Sequence, residues 1–295
     1  MPWRSRLSAL RKDSLIEGDF PLTLEDFRDI AAMLYADARI HLTDSKASLV
    51  YSRLIKRLRA LNLESFADYC ALLREEEAER SEMLSALTTN VTRFFRERHH
   101  FEHFSSSVLP GLLARARRGA RVRLWSAGCS SGEEPYSIAL TVLEQDPRAA
   151  DLDIKVLATD IDPRMIARGR DGVYPEAALA EDVSTGALQR FFFKEGSARR
   201  AAGELRKMVA FRRLNLNGDW PMRGPFDIIF CRNVAIYFDD ATQEALWAKF
   251  AAMLAPGGWL YIGHSERVDG PASAYLDSAG VTAYRRNAKP QGGAQ

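Results

Sequence analysis

Residues 122–140 read V-R-L-W-S-A-G-C-S-S-G-E-E-P-Y-S-I-A-L, and this stretch decides the fold. Val122, Leu124 and Trp125 predict a short hydrophobic strand. The small residues at 127–132 predict a tight turn in which glycine lets the backbone come close to a ligand. A helix is predicted to begin near Pro135, because proline fits the first helical turn without losing a hydrogen bond. The strand, glycine turn and helix N-terminus together predict a nucleotide-type cofactor site.

The composition predicts a folded, globular protein. Of its 295 residues 46% are hydrophobic, enough to fill the cores of one large or two ordinary domains. The formal net charge of +2 gives no argument for a nucleic acid or an anionic membrane as partner. The three widely spaced cysteines, Cys70, Cys129 and Cys231, argue against a disulfide framework and a cysteine-rich zinc site. No apolar run reaches the length of a membrane span, so we expect a cytoplasmic protein without direct membrane insertion.

Helical periodicity dominates the first third of the chain. From about residue 23 to 104, apolar residues recur at spacings of three and four, as in Phe27 and Ile30. Thr23 is the predicted N-cap of the first helix, with Asp26 in the capping-box position that usually holds Glu or Gln. No strand pattern interrupts the helical spacing, so we predict a helical N-terminal domain.

The second predicted helix of this domain has a basic face, formed by Arg53, Lys56, Arg57 and Arg59. Arg53, Lys56 and Arg57 fall at spacings of three and four, which place side chains next to each other on a helix. A run of charges is most often a solvated helix face. The functional interpretation is a docking stripe for an acidic helix or peptide, and the residues themselves leave both interpretations open.

Residues 88–104 mix polar and aromatic side chains. Asn90, Thr92 and Arg96 stand among four phenylalanines, which predicts a segment half in a core and half facing a site.

The same segment carries His99, His100 and His103, of which the first and last share a helix face. We expect no metal site there, because the H-E-x-x-H pattern is absent and no carboxylate or further histidine has a suitable spacing.

Alternating strands and helices follow the central turn. A strand at 154–159 ends at Asp160, where a doubly wound α/β sheet commonly places an acidic residue that binds ribose hydroxyls. An isolated Asp after a strand is more often a turn or cap residue. Asp162 can supply the cap of the next helix, which would leave Asp160 free. A further buried strand at 227–230 ends in polar residues, which in such sheets belong to the site.

Residues 172–218 interrupt this rhythm and are predicted to form a small β-subdomain, whose exposed strand edge could accept a peptide by β-augmentation. The predicted organisation, in chain order, is a flexible lead (1–18), a helical domain (19–105), a linker (106–120), an α/β domain (121–286, with the β-subdomain at 172–218) and a disordered tail (287–295).

The charge at the central turn selects the class of cofactor. A dinucleotide fold needs G-x-G-x-x-G, so that a pyrophosphate can sit on the helix N-terminus. Here that spacing is absent, and Glu133 and Glu134 would repel a pyrophosphate. They would attract a cationic ligand, so S-adenosylmethionine (SAM), a sulfonium with an α-amino group, is favoured over NAD.

Five motifs stand in order along the chain. They are N-V-T-R-F-F-R (90–96), S-A-G-C-S-S-G-E-E-P-Y-S (126–137), A-T-D-I-D (158–162), F-D-I-I-F-C-R-N-V-A-I-Y-F (226–238) and L-A-P-G-G-W-L-Y-I-G-H-S-E (254–266). Together they resemble the motifs of the chemotaxis receptor methyltransferases, the CheR family. The resemblance covers about residues 23–286, including the basic helix.

This resemblance implies a Rossmann-like methyltransferase domain and SAM-dependent O-methylation of glutamates on chemoreceptor helices, with S-adenosylhomocysteine as the product. Asp160 would hold the ribose, while Arg96 and Tyr237 would lie near the transferred methyl group. Asn215 and Leu216 would flank the adenine. The implied cofactor site comprises Asn90, Thr92, Arg96, Glu134, Asp160, Asn215, Leu216, Arg232 and Asn233. The basic stripe would dock the glutamate-rich receptor helix.

One segment departs from some relatives. Members that tether to a pentapeptide at receptor C-termini use a glycine-containing loop of the β-subdomain, whereas K-E-G-S-A-R-R-A-A-G-E at 194–204 is short and has only Gly196 before its arginines and alanines. We therefore expect tethering to be weak or absent.

The alternatives to a receptor methyltransferase are a non-catalytic SAM-binding signalling module that contacts receptors or response partners, and a nucleic-acid or small-molecule methyltransferase. For the latter, base-flipping aromatic residues and a strongly basic face do not stand out. We expect a cytoplasmic enzyme recruited to receptor arrays.

Overall fold

The computed structural model describes residues 14–287, which divide after Thr89 into two compact units. We expected the helical domain to extend to residue 105. That boundary is wrong, because residues 90–105 belong to the second unit, where Phe94, Phe101 and Phe104 are buried in its core. Among the described residues, no helix is long and apolar enough to cross a membrane.

The first unit is mainly helical. Part of the expected flexible lead is ordered, since residues 14–16 pair antiparallel with 22–23, while residues 1–13 lie outside the described residues. The elements, in chain order, are β1 (Ser14–Ile16), β2 (Leu22–Thr23), α1 (Leu24–Ala38), a 3-10 turn (Asp44–Lys46), α2 (Ala47–Ala60), α3 (Phe66–Glu75) and α4 (Glu77–Leu87).

The start of α1 follows from its capping residues. Asp26 donates its backbone N–H to Thr23 Oγ1 over 3.1 Å, and Thr23 donates its own to Asp26 Oδ2 over 3.2 Å. These bonds satisfy two donors that a helix N-terminus leaves open, so an aspartate completes the capping box here. Phe27 and Ile30 then face the core of the unit, as their spacing predicts.

The second unit is an α/β domain. Its helices are α5 (Arg98–His103), which continues as a π-helical turn (Phe104–Val108), α6 (Leu109–Arg117), α7 (Glu133–Gln145), α8 (Pro163–Asp171), α9 (Glu176–Asp182), α10 (Thr185–Phe191), α11 (Gly203–Met208) and α12 (Asp240–Met253). Its strands are β3 (Val122–Ala127), β4 (Ile154–Asp160), β5 (Val173–Pro175), β6 (Phe192–Glu195), β7 (Ala198–Ala201), β8 (Val209–Arg213), β9 (Phe226–Cys231), β10 (Leu254–Ile262), β11 (Leu276–Gly280) and β12 (Ala283–Arg286). Short 3-10 turns cover Pro147–Asp151, Ala235–Tyr237 and Gly270–Ala274.

Seven of these strands form the central sheet, in the order β11-β12-β10-β9-β3-β4-β8. The five strands from β10 to β8 are parallel, and β12 pairs antiparallel with β10. The chain builds outward from β3 to β4 and β8, then returns to the other side of β3 as β9. Ligands of such sheets bind outside the carboxyl ends of the strands at this reversal. The predicted α/β class is confirmed.

Two predicted boundaries inside this unit are wrong. The expected linker at 106–120 contains α6, whose Leu109, Leu112 and Leu113 are buried in the core. The expected β-subdomain at 172–218 is shorter, because β8 belongs to the central sheet and pairs with β4. The subdomain itself is a three-stranded antiparallel sheet in the order β5-β7-β6, and α9 and α10 lie between β5 and β6 along the chain.

Candidate active site

The turn after β3 is packed too closely for side chains at its glycines. Gly128 and Gly132 have positive φ angles of 80° and 102°. A Cβ at Gly128 would lie 2.3 Å from Val234 Cγ2, and one at Gly132 would lie 2.9 Å from Gly169 Cα. Glycine is therefore required here both by conformation and by space. The close packing fixes the turn between β3 and α7, where the cofactor site is predicted.

The two glutamates at the start of α7 already have protein partners. Glu134 accepts hydrogen bonds from Ser126 Oγ over 2.7 Å and from Arg232 Nη1 over 3.1 Å. Glu133 accepts from Ser131 Oγ over 2.7 Å. Burial raises the pKa of both carboxyls, and at Glu134 the positive charge of Arg232 opposes that rise. The carboxylates do lie at the predicted helix N-terminus, but Glu134 forms a buried ion pair.

Asp160 ends β4 beside the same turn. Its Oδ2 accepts from the backbone N–H of Ser130 over 2.8 Å and its Oδ1 from that of Asp162 over 2.9 Å. Burial raises the pKa of Asp160 to about 6, while these backbone donors oppose the rise. Asp162 caps α8 through the backbone N–H of Arg164, as the sequence suggests. The expectation that Asp160 stays free is wrong, although the two carboxylate oxygens together offer about four lone-pair sites and so retain capacity for a further donor.

The segment before α5 lies against this edge of the sheet. Asn90 donates its side-chain amide to Asp162 Oδ2 over 3.2 Å, and its carbonyl accepts from Ser130 Oγ, also over 3.2 Å. Arg96 donates to the carbonyl of Val91 over 3.0 Å, which closes the segment into a loop. The half-buried Thr92 lies within that loop.

Arg232, at the end of β9, joins several parts of the site. Its side chain is only 2% exposed and donates to Glu134 and to the backbone carbonyl of Arg96. Nη2 also lies 3.5 Å from Glu97 Oε2, and the guanidinium stands over the ring of Phe101. The two Nη groups thus bond to protein groups, whereas Nε is buried without a hydrogen-bond partner in the described residues, and the cofactor contact stays a prediction. The guanidinium holds the loop that carries Arg96 against the start of α7.

The residues predicted to flank adenine follow β8. The backbone N–H of Leu214 donates to the carbonyl of Asp160 over 2.9 Å, which ties this turn to the end of β4. Asn215 accepts from the backbone N–H of Asn217 through Oδ1 over 3.0 Å, and Leu216 is buried. The turn therefore lies next to Asp160, as a shared nucleoside site requires.

The turn after β9 carries Asn233 and Tyr237. Asn233 has a left-handed backbone with φ of 59°, and its Oδ1 is buried without a hydrogen-bond partner in the described residues. Tyr237 is half-buried and closes the 3-10 turn by donating its backbone N–H to Val234 over 3.3 Å. Glu266 is the last residue of the motif at 254–266 and was not among the predicted site residues. It accepts the backbone N–H of Asn233 over 3.0 Å.

The four residues of the basic stripe on α2 differ in their surroundings. Arg53 donates to the carbonyls of Leu87 and Thr88 over 2.7 and 2.9 Å and so caps the end of α4. Arg57 pairs with the buried Glu79 over 2.5 Å. These two arginines are thus committed within their own unit.

The other two members of the stripe are exposed. Lys56 lies on the solvent-exposed face of α2, and Arg59 pairs with the exposed Asp19 over 3.1 Å. A surface ion pair of this kind contributes little and exchanges readily with a partner. Docking stays a prediction, and the structure directs it to Lys56 and Arg59.

A group of possible metal ligands lies just after the loop that Arg96 closes onto Val91. Single ligand atoms of Glu97, His99 and His100 lie within 4.8 Å of one another. The statement that no carboxylate has a suitable spacing is therefore wrong, because Glu97 lies beside two of the histidines. Burial lowers the pKa of His100 to about 3, which keeps its imidazole neutral. The guanidinium of Arg232, 3.5 Å from Glu97, repels a cation here, and we propose no metal site.

Both units match described protein families. Residues 25–88 match "CheR methyltransferase, all-alpha domain", and residues 90–284 match "CheR methyltransferase, SAM binding domain". The chain is 53% identical over 266 residues to a "Probable chemotaxis protein methyltransferase" of Rhizobium etli, covering 88% of this chain and 99% of that protein. It is 44% identical to "Chemotaxis protein methyltransferase 2" of Pseudomonas aeruginosa, covering 90% of this chain and 94% of the relative. A "Chemotaxis protein methyltransferase" of Salmonella typhimurium is 43% identical, with coverages of 83% and 85%.

Proposed function

Because this chain belongs to the CheR methyltransferase family, we propose that it transfers the methyl group of SAM to glutamate side chains on chemoreceptors. The products are a glutamate methyl ester and S-adenosylhomocysteine. One observation carries the proposal: in the domain that matches the SAM-binding family, Glu134 lies in the first turn of α7, after the glycine turn that follows β3, and Asp160 lies at the end of β4. The enzyme works in the cytoplasm and is recruited to receptor arrays.

The residues present fit SAM rather than a phosphate-bearing cofactor. Asn233 Oδ1 is a buried acceptor without a partner in the described part of the chain, and it suits the α-amino group or a ribose hydroxyl. Asp160 keeps lone pairs for the ribose. Glu134 adds negative charge for the cationic end of the molecule. A pyrophosphate at the same place would be repelled by these carboxylates.

The reaction asks for positioning rather than for acid or base catalysis. A glutamate has a reference pKa of about 4.3, so it is already ionised at neutral pH. Bound SAM would supply an electrophilic methyl group: a carboxylate oxygen would bond to the methyl carbon as the sulfur–carbon bond breaks, which would leave a neutral thioether. Arg96 orients the incoming carboxylate and Tyr237 closes the site beside it. Fixed geometry of this kind can supply up to roughly 7–11 kcal/mol.

The acceptor glutamate lies on a cytoplasmic receptor helix that docks on α2 of the first unit. Lys56 and Arg59 supply the attraction, since both are exposed and a methylatable helix is glutamate-rich. Arg53 and Arg57 contribute indirectly, because they hold α2 to α4.

Tethering to a receptor C-terminal pentapeptide is weak or absent. Only Gly196 and Ser197 connect β6 to β7, so the hairpin has no long loop to cover a peptide. Arg199 pairs with Glu176 and Arg200 with Glu195, each over 2.6 Å, which reduces the charge available to a peptide carboxylate.

Transfer of radiolabelled methyl groups from SAM to receptor membranes tests the proposal. We expect alkali-labile incorporation into the receptor that depends on the enzyme. SAM binding without any transfer would instead support a non-catalytic signalling module that only contacts receptors or response partners. Nanodisc-held receptors with and without their last five residues should be methylated at equal rates. Faster methylation of the intact receptor would contradict weak tethering.

A further inference from the structure

One buried carboxylate holds the turn that follows β9. Glu266 is 6% exposed. It accepts backbone N–H groups from Ala235 and Val234 at Oε1, over 2.7 and 2.8 Å, and from Gly263 and Asn233 at Oε2, over 2.5 and 3.0 Å. Three of these donors are consecutive in the chain, and the fourth comes from the turn after β10. One side chain thus fastens together the ends of two neighbouring parallel strands.

The chemistry of this clamp requires a carboxylate. An ionised carboxylate only accepts hydrogen bonds and offers about four lone-pair sites, which match the four donors. Hydrogen bonds to an ionised acceptor are about twice as strong as neutral ones. A glutamine at the same position would turn one oxygen into an NH₂ group, which would face backbone donors instead of accepting from them.

The clamped turn carries residues of the proposed site. The backbone of Asn233 is left-handed, and a Cβ at Gly263 would lie 2.6 Å from Asn233 Nδ2, so the amide is wedged against this glycine. Its Oδ1 has no partner in residues 14–287. The 3-10 turn Ala235–Tyr237 begins at the next clamped amides. A shift of this turn therefore moves a candidate cofactor acceptor and Tyr237 together.

We propose that Glu266 is a positioning residue for methyl transfer, whose carboxylate fixes the turn at 233–235 so that Asn233 meets the cofactor and Tyr237 meets the acceptor carboxylate. This inference rests on the proposed function and adds a residue to its site. Glu266 lies behind the clamped turn and acts through Asn233 and Tyr237, without touching either reactant.

The test compares Glu266→Gln with Glu102→Gln, which changes an exposed glutamate of α5. The full-length variants are titrated calorimetrically with S-adenosylhomocysteine and assayed with a receptor fragment. For Glu266→Gln we expect affinity for S-adenosylhomocysteine and kcat each to fall about tenfold or more. KM for the receptor fragment should stay at the wild-type value. Glu102→Gln should behave as wild type in every measurement.

Gly263→Ala keeps the carboxylate but crowds the amide of Asn233, and it covers the case in which Glu266→Gln does not fold. We expect the same pattern of lost S-adenosylhomocysteine affinity and lost kcat with unchanged receptor KM. The inference is overturned if Gly263→Ala has wild-type affinity and kcat. A folded Glu266→Gln that only melts at a lower temperature, with affinity and kcat unchanged, overturns it equally. If wild-type protein itself transfers no methyl group, the proposed function fails instead.

Discussion

Replacing Arg232 by methionine should destabilise the second unit strongly. The substitution keeps an apolar stem but removes the donor to Glu134 Oε2, the donor to the carbonyl of Arg96 and the charge beside Glu97. The side chains of Arg232 and Glu134 are 2% and 11% exposed, so water cannot replace the lost partner. Removing one member of a buried ion pair costs about 3–5 kcal/mol, and we expect the free energy of unfolding to fall by that amount at neutral pH.

The loss of unfolding free energy in Arg232→Met should depend on pH. Burial already raises the pKa of Glu134 above its usual value, and Arg232 lowers it in the native protein. Without Arg232 the folded-state pKa rises further, so protonation relieves an unpaired buried charge. The deficit in unfolding free energy should therefore be largest above the folded-state pKa of Glu134 and should shrink as pH falls through it.

Denaturant unfolding, followed by the near-UV signals of the tryptophans, measures this effect. The four tryptophans other than Trp3 all lie in the second unit. The double variant Arg232→Met, Glu134→Gln should recover at least half of the loss, because no unpaired carboxylate remains. Arg121→Met is the matched control, since Arg121 is 82% exposed and should leave stability unchanged. A loss below about 1 kcal/mol, or no recovery in the double variant, would refute the buried-pair account.

Three further predictions concern the reaction. Arg96→Ala should lower turnover about tenfold or more, because the acceptor carboxylate loses its orienting charge, whereas Arg93→Ala should leave turnover unchanged. Single-turnover assays check this. Wild-type turnover in Arg96→Ala would show that Arg96 does not belong to the site. Replacing both Lys56 and Arg59 by Glu should raise KM for a receptor fragment about tenfold with kcat unchanged. Added salt should raise the KM of the wild-type enzyme in the same direction. An unchanged KM in the double variant would exclude the basic stripe as the docking surface. The pKa of Asp160 is raised to about 6, so its ionised form, which accepts hydrogen bonds from the ribose, prevails above that pH. The affinity for S-adenosylhomocysteine should therefore fall as the pH drops below about 6. Calorimetric titrations that show a constant affinity would contradict a ribose contact at Asp160.

Local sequence patterns predict the central strand, turn and helix of the fold, but they miss α6 in the expected linker. The glycine turn, Pro135 and the apolar spacing of α1 depend on neighbours in the chain, and the structure has the strand, turn and helix where the sequence places them. Domain boundaries were harder, because the spacing of Phe94, Phe101 and Phe104 shows that they are buried but not in which core.

The parts of the site that the sequence did not reveal depend on distant partners. Arg53 looks like a free surface charge until the carbonyls at the end of α4 are placed beside it. The ion pair of Arg232 with Glu134 and its bond to the carbonyl of Arg96 likewise cannot be read from the spacing of these residues in the sequence. Glu266 has a visible signal, since it is a glutamate just after a buried strand, yet three of its four donors, the backbone N–H groups of residues 233–235, come from a turn distant in the sequence. Pairings of this kind are set by the tertiary fold and carry no local periodicity.

The identity of the methylated group is the central claim, and peptide mapping tests it most directly. A receptor fragment is incubated with the enzyme and SAM, digested, and sequenced by mass spectrometry alongside a fragment in which the modified glutamates are replaced by glutamine. The account predicts one added methyl group on glutamate side chains of the first fragment, lost in mild alkali, and none at those positions in the second. Methyl groups on lysine, arginine or a terminus, or none in the presence of bound SAM, would contradict it.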